Sequence, residues 1–138
     1  MAKFLTFSGK KVEVDLSKYK INWSGQSLSK FQKNIKLFFE PYWRNDICLE
    51  EFKLPGTLLR ADIYNHSKRI IVECNGRAHV EKCSWFHSSD QDYYNQVERD
   101  AIKGVWAERN NIKLIEIYEK NMPLTKDWIE SKFGKILD

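Results

Sequence analysis

Apolar and polar residues alternate with a period of two in several short runs and with a helical period in three longer ones. Phe4 to Phe7 and then Val12, Val14 and Leu16 flank the polar turn Ser8-Gly9-Lys10-Lys11, which predicts a hairpin over Lys3–Leu16. Ser17–Gln26 shows no period; Tyr19, Ile21 and Trp23 are its candidate anchors. Ser29 and Gln32 have capping-box spacing at the start of a helix. Its apolar stripe is Phe31, Ile35, Phe38 and Phe39, with Lys30, Lys33 and Lys36 on the opposite side. Pro41 should end it, because the residue before proline avoids the helical region. Ile47–Leu54 reads as a strand closed by Pro55-Gly56.

Leu59 to Asn75 reads as a second hairpin with Asn65-His66-Ser67-Lys68 as its turn. With His66 and Ser67 as the loop, Asp62 stands opposite Ile71 and Arg60 opposite Glu73. Side chains alternate along a strand. One face then carries Leu59, Ala61, Ile63, Ile70, Val72 and Cys74, a core face. The other carries Arg60, Asp62, Tyr64, Ile71, Glu73 and Asn75.

Gly76–Asp92 is a long connection holding His79, Cys83, Trp85, Phe86 and His87, and connections of this length are usually functional. Asp92–Arg109 follows as a helix with Tyr94, Val97, Ala101 and Val105 as its stripe and Gln96, Asp100 and Lys103 on another face. Ile112–Tyr118 is a buried-type strand. Pro123 and Thr125 open a closing helix with Trp128, Ile129 and Phe133 inward. The expected fold is a mixed β-sheet flanked by helices, in the α/β or α+β class. One domain is expected: an N-terminal hairpin and basic extension (1–26), a core (27–118) and a C-terminal helix (119–138).

Composition narrows the class. With 138 residues, 42% hydrophobic and 14% aromatic, the chain can bury one real core and is not a disordered polyelectrolyte. No apolar run reaches membrane-spanning length, and MAKFLTF lacks the apolar segment of a secretory signal. Cys48, Cys74 and Cys83 cannot all pair, so a reduced cytoplasmic setting is expected. The net charge of +4 is unevenly spread: residues 1–44 hold nine basic and three acidic residues. A basic first third suits a polyanion such as double-stranded DNA, and also an ordinary solvated lysine surface.

Asp62 and Glu73 share one face on neighbouring strands, close enough for their oxygens to hold a divalent cation, with the Cys74 carbonyl between Glu73 and Asn75. Such an ion neutralises phosphate charge and activates water, which phosphodiester hydrolysis requires. His79 could exchange a proton near neutral pH. The same spacing also fits an Arg60–Glu73 pair with Asp62 facing water. Cys74, His79, Cys83 and His87 offer a zinc alternative, at a spacing that matches no recognised finger.

Asp62 followed by Glu73-x-Asn75 resembles the D…ExK signature of the PD-(D/E)XK nuclease superfamily, with Asn75 at the usual lysine. ECNGRAH followed by NQVERDAIKGVWAERNNIKLIEIY resembles its very-short-patch repair endonuclease branch, which includes phage homing endonucleases. The likeness runs from about Ser27 to Tyr118. It implies a restriction-endonuclease-like fold and these roles: Asp62, Glu73 and the Cys74 carbonyl as metal ligands, His79 as acid/base residue, and Asp100 as its orienter or as a partner behind the metal ligands. Gln32 stands where the repair enzymes place a glutamate, so that Gln32 and Asn75 are the departures from the pattern. Repair enzymes of the resembled type carry a structural zinc near this loop, but here Cys74 falls on the core face and His79 is wanted elsewhere; Trp85 and Phe86 would be wedges between base pairs or a cover for the core under the loop.

The expectation is a Mg²⁺-dependent DNA endonuclease, Mn²⁺ substituting, most like a phage homing enzyme acting in bacterial cytoplasm. Its DNA contacts would come from Lys10, Lys11, Lys30, Lys33, Lys36, Arg60, Arg77, Trp85, Phe86 and Lys103. A long target would need a homodimer or extended loops. The alternatives are a mismatch- or structure-directed nicking enzyme and a non-catalytic nucleic-acid-binding protein.

Overall fold

The Gln32 amide donates to the Ser29 hydroxyl at 3.1 Å and so starts α1 (Lys30–Trp43). This computed structural model describes residues 2–25, 27, 29–75 and 90–138, with 90–97 by backbone alone. The Gln32 side chain does not return to Ser29, as a full capping box would require. It reaches across to Glu51 at 3.1 Å. Pro41 does not stop the helix, which continues through one more half-turn to Trp43. Packing overrides the local preference: Trp43 is fully buried, stacks on Phe39 at 4.3 Å, and donates its indole N–H to the Ile136 carbonyl at 3.0 Å.

The main sheet has the order β3 (Cys48–Lys53), β4 (Arg60–Asn65), β5 (Ile70–Asn75), β6 (Lys113–Tyr118). The first three strands run antiparallel to one another in turn. β6 lies parallel to β5, and the connection between them contains α2 (Asp90–Arg109). β1 (Ala2–Leu5) and β2 (Lys11–Val14) form a separate hairpin, and α3 (Lys126–Phe133), capped by Thr125, closes the described chain. This is the expected mixed sheet with helices, in the expected element order. No described helix is long and apolar enough to cross a membrane.

Both faces of the sheet are covered, so the second hairpin face is no open surface. On one side Ile63, Ile70, Val72, Ile115 and Ile117 pack against Ile35, Phe39 and Trp43 of α1 and Ile129 of α3. On the other, Leu49, Tyr64 and Ile71 pack against Phe4 of β1 and Trp106 of α2. Each fully buried side chain of this size contributes about 1.5–3 kcal/mol. Leu59 and Ala61 join this second cluster rather than the first, so the alternation slips at Asp62. The pairs Glu50↔Ile63 and Phe52↔Ala61 bracket Asp62 against Glu51, whose backbone is left-handed at φ 50.

α2 is rotated relative to its expected stripe. Ala101 and Val105 are exposed, whereas Trp106, Ala107 and Asn110 are buried. Trp106 donates to the Pro55 carbonyl at 3.1 Å, and Asn110 bonds both the amide and the carbonyl of Leu5. The inward face is polar in part because it meets acids of the sheet, and apolar periodicity does not register such a face.

Candidate active site

The β4–β5 hairpin pairs Asn65 with Ile70 and Ile63 with Val72, a two-residue shift from the expected register. A four-residue turn, not a two-residue loop, joins the strands. The Lys68 amide donates to the Asn65 side chain at 2.9 Å, and Arg69 is left-handed at φ 59. A shift of two preserves the faces where the strands pair, at Ile63–Asn65 and Ile70–Val72. It also brings Asp62 directly toward Glu73 rather than onto a diagonal.

Beyond Ile63↔Val72 the backbone ladder gives way to side chains. The Asp62 amide donates to a Glu73 carboxylate oxygen at 3.0 Å, and the Cys74 amide donates to an Asp62 carboxylate oxygen at 2.7 Å. Each acid thus satisfies a backbone donor that strand pairing would otherwise have used. The two carboxylates are thereby held to each other's strand by backbone amides. Arg60 is exposed and does not pair with Glu73. Lys103 of α2 does, through a short charge-assisted contact.

The electrostatics follow from crowding. Burial, and next the neighbouring Glu73 charge, push the Asp62 carboxyl up to about 7. Glu73 is also raised, by burial, against the opposing pull of Lys103. The Cys74 thiol is pushed well up by burial and by these acids, so it stays a neutral thiol. Glu51, Asp62 and Glu73 together place more negative charge here than Lys103 cancels.

Glu116 of β6 pairs in register with Glu73 and accepts a hydrogen bond from the Tyr118 hydroxyl at 2.8 Å. That bond, then burial, raises the Tyr118 phenol. Asp100 is half-buried on α2, and its charge raises both Glu73 and Tyr118. Asn75 is buried beside Tyr118; its amide nitrogen leans on that hydroxyl without a well-formed hydrogen bond.

The structure therefore gathers Asp62, Glu73, the Cys74 backbone, Asn75 and Asp100, and ties Gln32 to them through Glu51. His79, Arg77, Trp85, Phe86, Cys83 and His87 lie outside the described residues, so the acid/base, wedge and zinc expectations do too. Among the described residues, no three His, Cys, Asp and Glu side chains group as metal ligands. Lys10, Lys11 and Lys30 are exposed and Lys33 is half-buried. Lys36 does not belong with them: it is 0% exposed and bonds Glu50 at 2.8 Å. The lysine stripe was read from spacing, and a lysine at Lys36 can point inward because an acid waits there. Lys103, expected on DNA, pairs with Glu73 and also lines the neighbouring cleft. Glu51 was missed altogether; two adjacent acids inside the apolar run of β3 were the available signal.

Comparison with known proteins returned no matching family model and no matching solved structure. Over 83 residues the chain is 37% identical to "Uncharacterized protein 094L" of Frog virus 3 (isolate Goorha), covering 59% of this chain and 50% of that protein. Over 59 residues it is 34% identical to "Uncharacterized protein 307L" of Invertebrate iridescent virus 6, covering 43% of this chain and 30% of that protein. The chain thus spans about half the length of one curated relative and under a third of the other. Neither name states an activity.

Proposed function

We propose that this protein is a metal-dependent DNA endonuclease with Asp62 and Glu73 at its centre. The observation that carries the reading is the pair of carboxylates, Glu73 buried and Asp62 half-buried, crossed between β4 and β5, both raised by desolvation and Asp62 also by its partner. Two such acids beside one lysine form a site with negative charge in excess. A divalent cation relieves that excess.

The donor set fits a hard cation: two carboxylates plus the Cys74 carbonyl, with remaining positions left to water and phosphate, as Mg²⁺ prefers. Bound there, Mg²⁺ or Mn²⁺ would supply Lewis-acid polarisation of a phosphate and a more acidic water. The chain's own groups do the rest. Asp62 and Glu73 are fixed by backbone amides, so their oxygens are oriented before substrate arrives. Lys103, held against Glu73, offers at this site the positive charge that Asn75 cannot. Gln32 restrains Glu51, which keeps the electrostatic pressure on Asp62. Asp100 reinforces it at Glu73. The exposed Lys10, Lys11 and Lys30 suit phosphate contacts that position DNA without reading it. The relatives come from viruses named for animal hosts, so the proposal carries the activity and not a bacterial host.

Supercoiled plasmid incubated with Mg²⁺ or Mn²⁺ tests the reading. Wild type should convert it to nicked or linear product, EDTA should stop the reaction, and Asp62→Ala should lose it. Cleavage retained by Asp62→Ala would remove Asp62 from the chemistry. Binding without metal-dependent cleavage by wild type would favour a nucleic-acid-binding protein on the same fold.

A further inference from the structure

A cleft of about 780 Å³ lies beside the acid pair, lined by Phe7, the Gly56–Arg60 segment, and Arg99, Ile102 and Lys103 of α2. That volume is in the range of sites that enclose one small molecule, roughly 300–1,000 Å³. Its composition is unusual for an incidental groove. The walls are apolar at Phe7, Leu58, Leu59 and Ile102, and three cations, Arg60, Arg99 and Lys103, also line it. Lys103 belongs to both places, since its ammonium also holds Glu73.

The wall bearing Leu58 is rigid. Thr57 Oγ1 donates to the Leu54 carbonyl at 2.9 Å and accepts from the Leu59 amide at 3.0 Å. Trp106 pins the Pro55 carbonyl from α2. Gly56 (φ 85) lies so close to Thr6 that a Cβ would come within 2.8 Å of it. Phe7 is steadied in turn by Arg109, which donates to its carbonyl at 2.8 Å and lies over its ring. Yet Leu58, on this pinned turn, is 89% exposed. A hydrogen-bonded mount for a largely exposed leucine, in a cleft that also carries three cations, is complementary to an unstacked base attached to a phosphodiester chain.

We propose that the cleft takes one unstacked nucleotide of the DNA strand, its base against Phe7, Leu58, Leu59 and Ile102 and its phosphates on Arg60 and Arg99, next to the bond presented to Asp62 and Glu73. This rests on the nuclease reading and deepens it: the preferred substrate is DNA with an unpaired or easily extruded nucleotide beside the cut.

The test measures binding by fluorescence anisotropy in EDTA, where cleavage is absent. The probes are one labelled duplex fully paired and the same duplex carrying a single extrahelical adenine. Wild type should bind the bulged duplex roughly tenfold more tightly, the scale on which stacking one base acts. Leu58→Ser should bring the two affinities together, while Ile47→Ser, another exposed apolar residue remote from the cleft, should keep the preference. Thermal melts establish that both variants fold. Equal affinities in wild type, or a preference that survives Leu58→Ser, would overturn the proposal, as would a Leu58→Ser effect explained by a change of sedimentation from dimer to monomer. Cleavage of the same duplexes in Mg²⁺ separates the two readings. Preference without cleavage sinks the nuclease and leaves the cleft; cleavage without preference sinks the cleft alone.

Discussion

The Asp62 amide donates to the Glu73 carboxylate at 3.0 Å, while the Asp62 carboxylate takes the next amide along β5, that of Cys74, at 2.7 Å. The two acids are therefore structural parts of the hairpin as well as its chemistry, and both roles can be measured.

The first consequence concerns stability. The Asp62 carboxyl stands at about 7 when folded against an ordinary 3.8. Between those values the folded state holds a proton that the unfolded chain has released. Stability from this group is fully present below about pH 4 and is lost as pH rises to about 7. Asp62→Asn keeps an acceptor for the Cys74 amide and removes the charge. Urea unfolding should show the variant more stable than wild type at pH 8, by about 2–4 kcal/mol, with the gap closing at pH 4. A gap that does not change with pH would contradict the assigned titration.

Lys103 lowers Glu73 against the burial that raises it. Lys103→Met should therefore shift the acidic limb of the pH–cleavage profile to higher pH and reduce the maximal rate by roughly 100-fold, the scale of removing one electrostatic stabiliser. Lys103→Arg should recover part of both. A rate loss with no movement of the limb would make Lys103 a packing residue only.

Lys36 and Glu50 make the contrasting case of an ion pair that holds the fold. Lys36→Ala leaves Glu50 short of its partner and should cost about 3 kcal/mol in chemical unfolding. Its DNA affinity should keep the wild-type salt dependence. Lys10→Ala and Lys11→Ala, both at exposed positions, should each reduce the salt slope by about 1 with little change in stability.

The sequence made the element order readable, because every strand and helix of the described chain carries its own period or its own cap. The faces of α1 and α2 were harder. Lys36 and Gln32 on α1, Lys103 on α2 and Asn110 just past its end turn inward to acids or backbone groups contributed from far along the chain, and a periodicity of apolar residues is blind to that. The register of the β4–β5 hairpin failed for a similar reason: Asn65 and a left-handed Arg69 build a longer turn than the loop residues alone suggest. Because the error was an even number of residues, Tyr64 and Ile71 still fell on one face and Ile63 and Val72 on the other, while the slip at Asp62 moved Leu59 and Ala61. Glu51 stayed hidden since its relation to Asp62 depends on strand pairing across the Pro55-Gly56 turn.

Gly56 ties that turn to the rest of the molecule. Its left-handed backbone and the 2.8 Å approach to Thr6 leave no room for a methyl group. Gly56→Ala should lower stability by at least about 1 kcal/mol and weaken bulged-duplex binding along with it. A stable variant with unchanged binding would show that the turn does not shape the cleft.

Whether Asp62 and Glu73 share one cation can be read by calorimetric titration of the metal-free protein with Mn²⁺ at pH 8, above the range in which Asp62 holds its proton. One ion should bind per chain, with affinity falling toward pH 6, and both Asp62→Asn and Glu73→Gln should abolish it. Wild-type affinity retained by both variants would contradict the shared site.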